Sequence, residues 1–138
     1  MAVGLNPAIA NSLLDALLNQ TNYTAPTTIA IQLHTGDPGA AGTANIAQGG
    51  AGSQTRKDIT AAFPAAAAGS CTNNVDIAWT AGEVDVAEDY THYSIWTSAT
   101  PGSGTFLWSG VITANAVLVG DQFKILSGGL AVTFALAA

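Results

Sequence analysis

The chain has 138 residues and a single cysteine, Cys71, which gives length for one domain with its own core and excludes an internal disulfide. Only 9% of residues are charged, against about 25% in ordinary soluble proteins, and the mean hydropathy of +0.33 argues against disorder, which pairs low hydrophobicity with high net charge. With a net charge of −6 and three cations, Arg56, Lys57 and Lys124, the chain lacks the clustered Lys and Arg that neutralise phosphates, so no nucleic-acid partner is expected.

Taken in order, Asn6-Pro7 opens a helix expected over about 7–19, since Asn suits the cap and Pro the first helical position. Ile9, Leu13 and Leu17 recur at helical spacing with Leu14 and Leu18 beside them. The polar remainder is thin, so the helix is expected to pack on two sides, one against its own sheet and one against a neighbouring subunit. These five residues are the candidate oligomer interface. Residues 1–30 hold no Lys or Arg, so the basic start of a signal peptide is missing and use without translocation is expected. No apolar run approaches the ~20 residues of a membrane-spanning helix, and no membrane partner is expected.

Beyond Tyr23 the period changes. Thr27 to His34 alternates, with Ile29, Ile31 and Leu33 on one face and Thr28, Ala30, Gln32 and His34 on the other. Residues 35–55 form a long Gly/Ala-rich stretch without apolar periodicity, a pattern expected of functional or mobile loops. Arg56 to Phe63 allows a short strand, and Pro64–Gly69 is a low-complexity spacer. Val75, Ile77 and Trp79 alternate with polar and small residues. Glu83 and Asp85, separated by Val84 and followed by Val86, predict a strand with one solvated face. Thr91–Thr97, Thr105–Thr113, Phe123–Ile125 and the period-two set Leu130, Val132, Phe134 and Leu136 complete the β domain, expected over about 27–136. Six to eight short strands separated by turn signals predict a mainly β fold, an antiparallel β-sandwich or open barrel with one N-terminal α-helix, forming a single domain over 1–138.

Chemical sites are sparse. His34 and Asp37 lie three apart, but Asp37-Pro38-Gly39 is turn chemistry, and no second cluster completes a tetrahedral metal site. The two residues are retained as a candidate loop contact. Glu83, Asp85, Glu88 and Asp89 lack the spacing of a calcium loop. With two histidines and no Gly-x-Ser-x-Gly or His-Glu-x-x-His motif, no catalytic residues, metal or cofactor are expected. Trp79, Trp96, Trp108, Tyr90 and Tyr93 sit in or beside alternating strands, where core packing is the expectation.

Several stretches together resemble a known group. They are the helix Leu13–Leu18, the strand ending Leu33-His34-Thr35-Gly36-Asp37-Pro38-Gly39, Thr91–Trp96, Phe106–Gly110 and Val119–Ile125. In this order they resemble a family of small tailed-phage virion proteins, described variously as tail-fibre or minor structural proteins. The chain departs from the family pattern twice. Gly52-Ser53-Gln54-Thr55-Arg56 stands where Gly-Tyr-x-Arg is usual, and Glu88-Asp89-Tyr90 replaces a common Trp-Gly pair before Thr91. The resemblance implies a non-enzymatic virion protein assembled in the bacterial host cytoplasm. It also implies major capsid protein or tail proteins as partners. A capsid decoration or head-fibre protein, docked on the shell as a small homo-oligomer such as a trimer, ranks first. A minor tail or tail-fibre protein contacting the host ranks second, because no heptads or β-helix repeats supply a shaft.

Overall fold

A computed structural model describes residues 3–134; Leu136, the last member of the period-two set, lies outside them. The helix α1 (Pro7–Leu18) starts as its sequence dictates. The Asn6 side chain accepts the Ala8 N–H at 2.9 Å, and Pro7 takes the position where a missing N–H costs nothing. It ends at Asn19, after which Gln20 adopts a left-handed φ of 55°. The Asn6 backbone N–H and side-chain amide donate to Leu107 and Phe106 carbonyls at 2.9 and 2.6 Å, so the cap hangs the helix on the sheet.

Strands follow in chain order: β1 (Ala30–His34), β2 (Lys57–Asp58), β3 (Ser70–Thr72) and β4 (Ile77–Trp79). After them come β5 (Glu88–Trp96), β6 (Phe106–Val117), β7 (Phe123–Ile125) and β8 (Ala131–Thr133). They pair antiparallel as a four-stranded sheet β2-β1-β5-β6 and two ribbons, β3-β8 and β4-β7. The fold is mainly β with a single N-terminal helix.

One core joins the layers. Ile31, Leu33, Tyr93 and Ile95 of the large sheet share it with Ile77, Trp79, Phe123 and Ile125 of the β4-β7 ribbon. Phe123 is the bridge, with ring centroids 5.4 Å from Trp79 and 5.2 Å from Tyr90. Trp79, Tyr90 and Tyr93 pack into the core as expected, Trp108 is half-buried against it, and Trp96 is buried outside the core cluster. Cys71 is half-buried on β3, its thiol turned to the Pro64 carbonyl.

Two segments differ from the sequence reading. Glu83–Val86 forms no strand: Ala81–Glu83 is a turn, in which the Glu83 carboxylate accepts the Thr80 N–H at 2.7 Å and its hydroxyl at 3.0 Å, and Val84–Val86 is irregular. Such local bonds compete with extended pairing. The stretch 35–55 is no free loop, since Pro38, Gly42, Ala47 and Gly49–Gly52 are buried. The lack of side chains is what allows its backbone to lie against the sheet. A Cβ on Gly52 would stand 2.5 Å from the Ala47 carbonyl oxygen, and Gly49 holds φ at 62° with its Cα against the Asp85 carboxylate.

Candidate functional site

Two regions concentrate what the sequence singled out. The first is the outer face of α1. None of its residues is fully buried. Ile9 and Leu13 are half-buried, whereas Leu14, Leu17 and Leu18 are 53%, 78% and 81% exposed. Leu5, Leu13, Leu14, Leu17 and Phe134 line a shallow groove of about 560 Å³ that has no polar lining. Opposite α1, Phe134 stacks edge-on against Trp108 at 5.8 Å. The sheet therefore covers one side of the helix in part, and the leucine stripe faces outward.

The second region is the face of the sheet turned away from the core. In β1 every residue is buried, so Gln32 and His34, on the face opposite Ile31 and Leu33, are covered as well. His34 Nδ1 lies 2.8 Å from the Ala44 carbonyl, which only accepts, so Nδ1 carries the proton. Nε2 then accepts the Ser94 hydroxyl at 2.7 Å, and Ser94 Oγ accepts Trp96 Nε1–H at 2.8 Å. Burial pushes the His34 pKa down to about 4, against the pull of the Ala44 carbonyl, with His92 and Arg56 lowering it further.

Arg56 occupies the same face. Its Nε donates to Gln32 Oε1 at 3.2 Å, and Nη1 reaches the carbonyls of Ser98, Thr100 and Ser103 at 3.2, 3.2 and 2.8 Å. The guanidinium stacks 3.8 Å above the Trp96 ring. Among the described residues no carboxylate pairs with it. Its charge is solvated by dipoles, and desolvation lowers its pKa. Gln32 closes the arrangement by donating to the Gly52 carbonyl at 2.7 Å.

These contacts anchor the 35–55 stretch. His34 grips it at Ala44 and Gln32 at Gly52, while the acidic residues hold it from the other side. Asp85 accepts the Gly50 N–H at 3.1 Å and Glu88 the Gln48 N–H at 2.8 Å. Glu83 pairs with Lys57. Asp37 accepts the Gly39 N–H at 2.7 Å within its own turn. His34, expected to offer a contact from a loop, is thus fully buried and contacts the loop itself.

A serine hydroxyl on a histidine nitrogen also occurs in hydrolases. Here His34 and Ser94 are both 0% exposed, so the hydroxyl has no route to a substrate. No group of three His, Cys, Asp or Glu among the described residues is placed to hold a metal ion. No helix among them is long and apolar enough to cross a membrane. Sequence reasoning missed Gln32, Ser94, Arg56 and Trp96 as one network. The available signal was a polar half-strand next to a stretch too poor in side chains to bury itself.

A family model described as podophage GP4 fiber I protein gp80 matches residues 4–133, from the segment that covers β6 to the end of β8. No curated protein matches the chain. Taken with its antiparallel β fold and single N-terminal helix, a match over nearly the whole chain leads to one assignment: the chain belongs to the podophage GP4 fiber I protein family, and is a phage virion structural protein.

Proposed function

We propose that the chain is a non-enzymatic subunit of a fibre on the outside of a tailed-phage particle, working as a homo-oligomer joined through the exposed face of α1. The observation that carries this is the outward leucine stripe. Burying a Leu fully is worth about 1.5–3 kcal/mol, so Leu14, Leu17 and Leu18 together leave several kcal/mol for association to recover. Few charges oppose such a contact, since Asp15 is the helix's single ionisable residue. A closed ring such as a trimer repeats one patch around an axis.

A capsid decoration or head-fibre protein ranked first on sequence alone. The family description names a fibre, which supports a projecting appendage over a flat coat and fits a head fibre as well as a tail fibre; a tail attachment is the reading carried forward. The lack of an obvious shaft is met by association, which lets short subunits build length together.

Two measurements test this. Leu17→Asp and Leu18→Asp lie on the most exposed positions, so the fold should survive while the oligomer dissociates; sedimentation showing unchanged mass removes the helix contact. Quantitation on separated DNA-filled heads and tails places the fibre. Recovery with tails supports the proposal, and hundreds of copies on tailless heads would restore decoration of the shell.

A further inference from the structure

The four-stranded sheet has two unlike edges. At one end β2 is two residues long, and both, Lys57 and Asp58, are charged. Short, charged edges discourage pairing with other chains. At the other end β6 runs for twelve residues. Its first part is covered: Ser109 N–H donates to the Gly4 carbonyl at 2.8 Å, Asn6 N–H donates to Leu107, and Leu5 bridges to Trp108. Beyond Ser109 the strand pairs with β5 on one side and, among the described residues, has no backbone partner on the other.

This stretch also lacks two of the usual protections, charge and proline. Residues 105–120 contain no charged residue and no proline. Val111, Thr113, Ala114, Asn115 and Ala116 are all exposed, and Ile112 between them is half-buried against the core. A bulge lies between the pairs Tyr90–Asn115 and His92–Val111, where Ile112–Ala114 oppose Thr91 alone. It adds twist, which shields an edge in part, but among the described residues the outward N–H and C=O groups have no partner. A two-stranded ribbon is marginal in water and gains stability from a third strand.

We infer that this edge is a second interaction surface, and that its occupant is the same edge of a second copy, added antiparallel about a two-fold axis. Charge argues for the second copy. The chain carries −6, yet residues 105–120 hold no charge of their own, so two copies meeting along them set no like charges strand against strand; the nearest carboxylates, Glu88 and Asp89, lie one strand back on β5 beside Val117 and Ala116. The strand is also close to self-complementary. Centred on Ala114, an antiparallel pair sets Thr113 beside the second copy's Asn115, and Ile112 beside its Ala116. These are polar with polar and apolar with apolar, the cross-strand pairs that stabilise a sheet. Main-chain hydrogen bonds supply the affinity, as in other strand additions.

The test uses the full chain with Thr113→Lys/Asn115→Lys, and separately Ala116→Lys. All three positions are exposed in the subunit, so an unchanged circular dichroism spectrum is expected. Amide exchange across 110–117 should be slow in the parent and at least tenfold faster in both variants, with a lower mass by sedimentation. Leu17→Asp should leave that protection in place, which separates failure of this surface from failure of the helix contact. Fast exchange in the parent, or the same mass in parent and variants, overturns the inference. Slow exchange in a monomer overturns it too, because the cover would then come from the chain itself.

Discussion

His34 holds its one ring proton on the Ala44 carbonyl and uses the other nitrogen as an acceptor for Ser94. A second proton would land on Nε2, turning the acceptor into a donor against a hydroxyl that already accepts from Trp96. In the folded chain the pKa is about 4, below the ordinary 6.5, so as pH falls the unfolded chain takes the proton first. Stability is therefore full above about pH 6.5 and declines as pH drops toward 4, by about 3 kcal/mol in all at 1.36 kcal/mol per pH unit. Asp58, Asp76 and Glu83 are held below the usual carboxylate range, so their losses come later in the descent. Urea unfolding between pH 4.5 and 7 should show this slope, and His34→Asn, whose amide nitrogen takes the place of Nδ1 as a donor for Ala44 without a titratable ring, should flatten it. An equal slope in both would remove His34 as its source. Arg56 belongs to the same face, and one change there is equally informative. Arg56→Ala leaves the buried Gln32 Oε1 without its donor and unties the turn at Ser98, Thr100 and Ser103, a loss on the order of 2 kcal/mol in the stability read from urea unfolding.

At the scale of elements, the 35–55 stretch depends on what it lacks. Gly52→Ala forces a Cβ toward the Ala47 and Leu33 carbonyls, and overpacking of this kind costs about 1–3 kcal/mol. A Tm equal to that of the parent would mean that the stretch moves aside at little cost. The strands were legible where period two met bulky residues: Ile77–Trp79, Thr91–Trp96 and Phe123–Ile125 were all visible, as was the Asn6-Pro7 start of α1. Ser70–Thr72 was hidden, because Ser-Cys-Thr beside Ala and Gly has no apolar alternation and owes its strand to the pairing with Ala131–Thr133. Glu83–Val86 misled in the opposite way, since its alternation is real but a local carboxylate-to-backbone turn wins. Gln32 and His34 could be placed on the face opposite Ile31 and Leu33, but not under a cover, because sequence shows a strand's neighbours along the chain and not the backbone that folds over it. The leucine stripe was legible as apolar, but that it faces outward follows from the shape of the sheet edge from which α1 hangs.

For the whole molecule, two separate self-contacts would make association open-ended, since rings closed through α1 can be joined through β6. The parent should then gain mass with concentration without a plateau. A β6-edge variant should stop at the ring closed by α1, and a Leu17→Asp variant at pairs joined through β6; sedimentation at several concentrations distinguishes them. Neither contact relies on charge, which agrees with a chain that spends so few ionisable residues on its surface. The close-packed glycines carry a different consequence, for how the sequence can drift. By composition, 35–55 is the stretch that looks most forgiving, yet Gly49 and Gly52 leave no room for any other residue. The outward leucines, by contrast, can change without unfolding the subunit. Inherited variation that spares folding should thus collect on the helix that meets other molecules, while the plainest run of letters in the sequence stays the same.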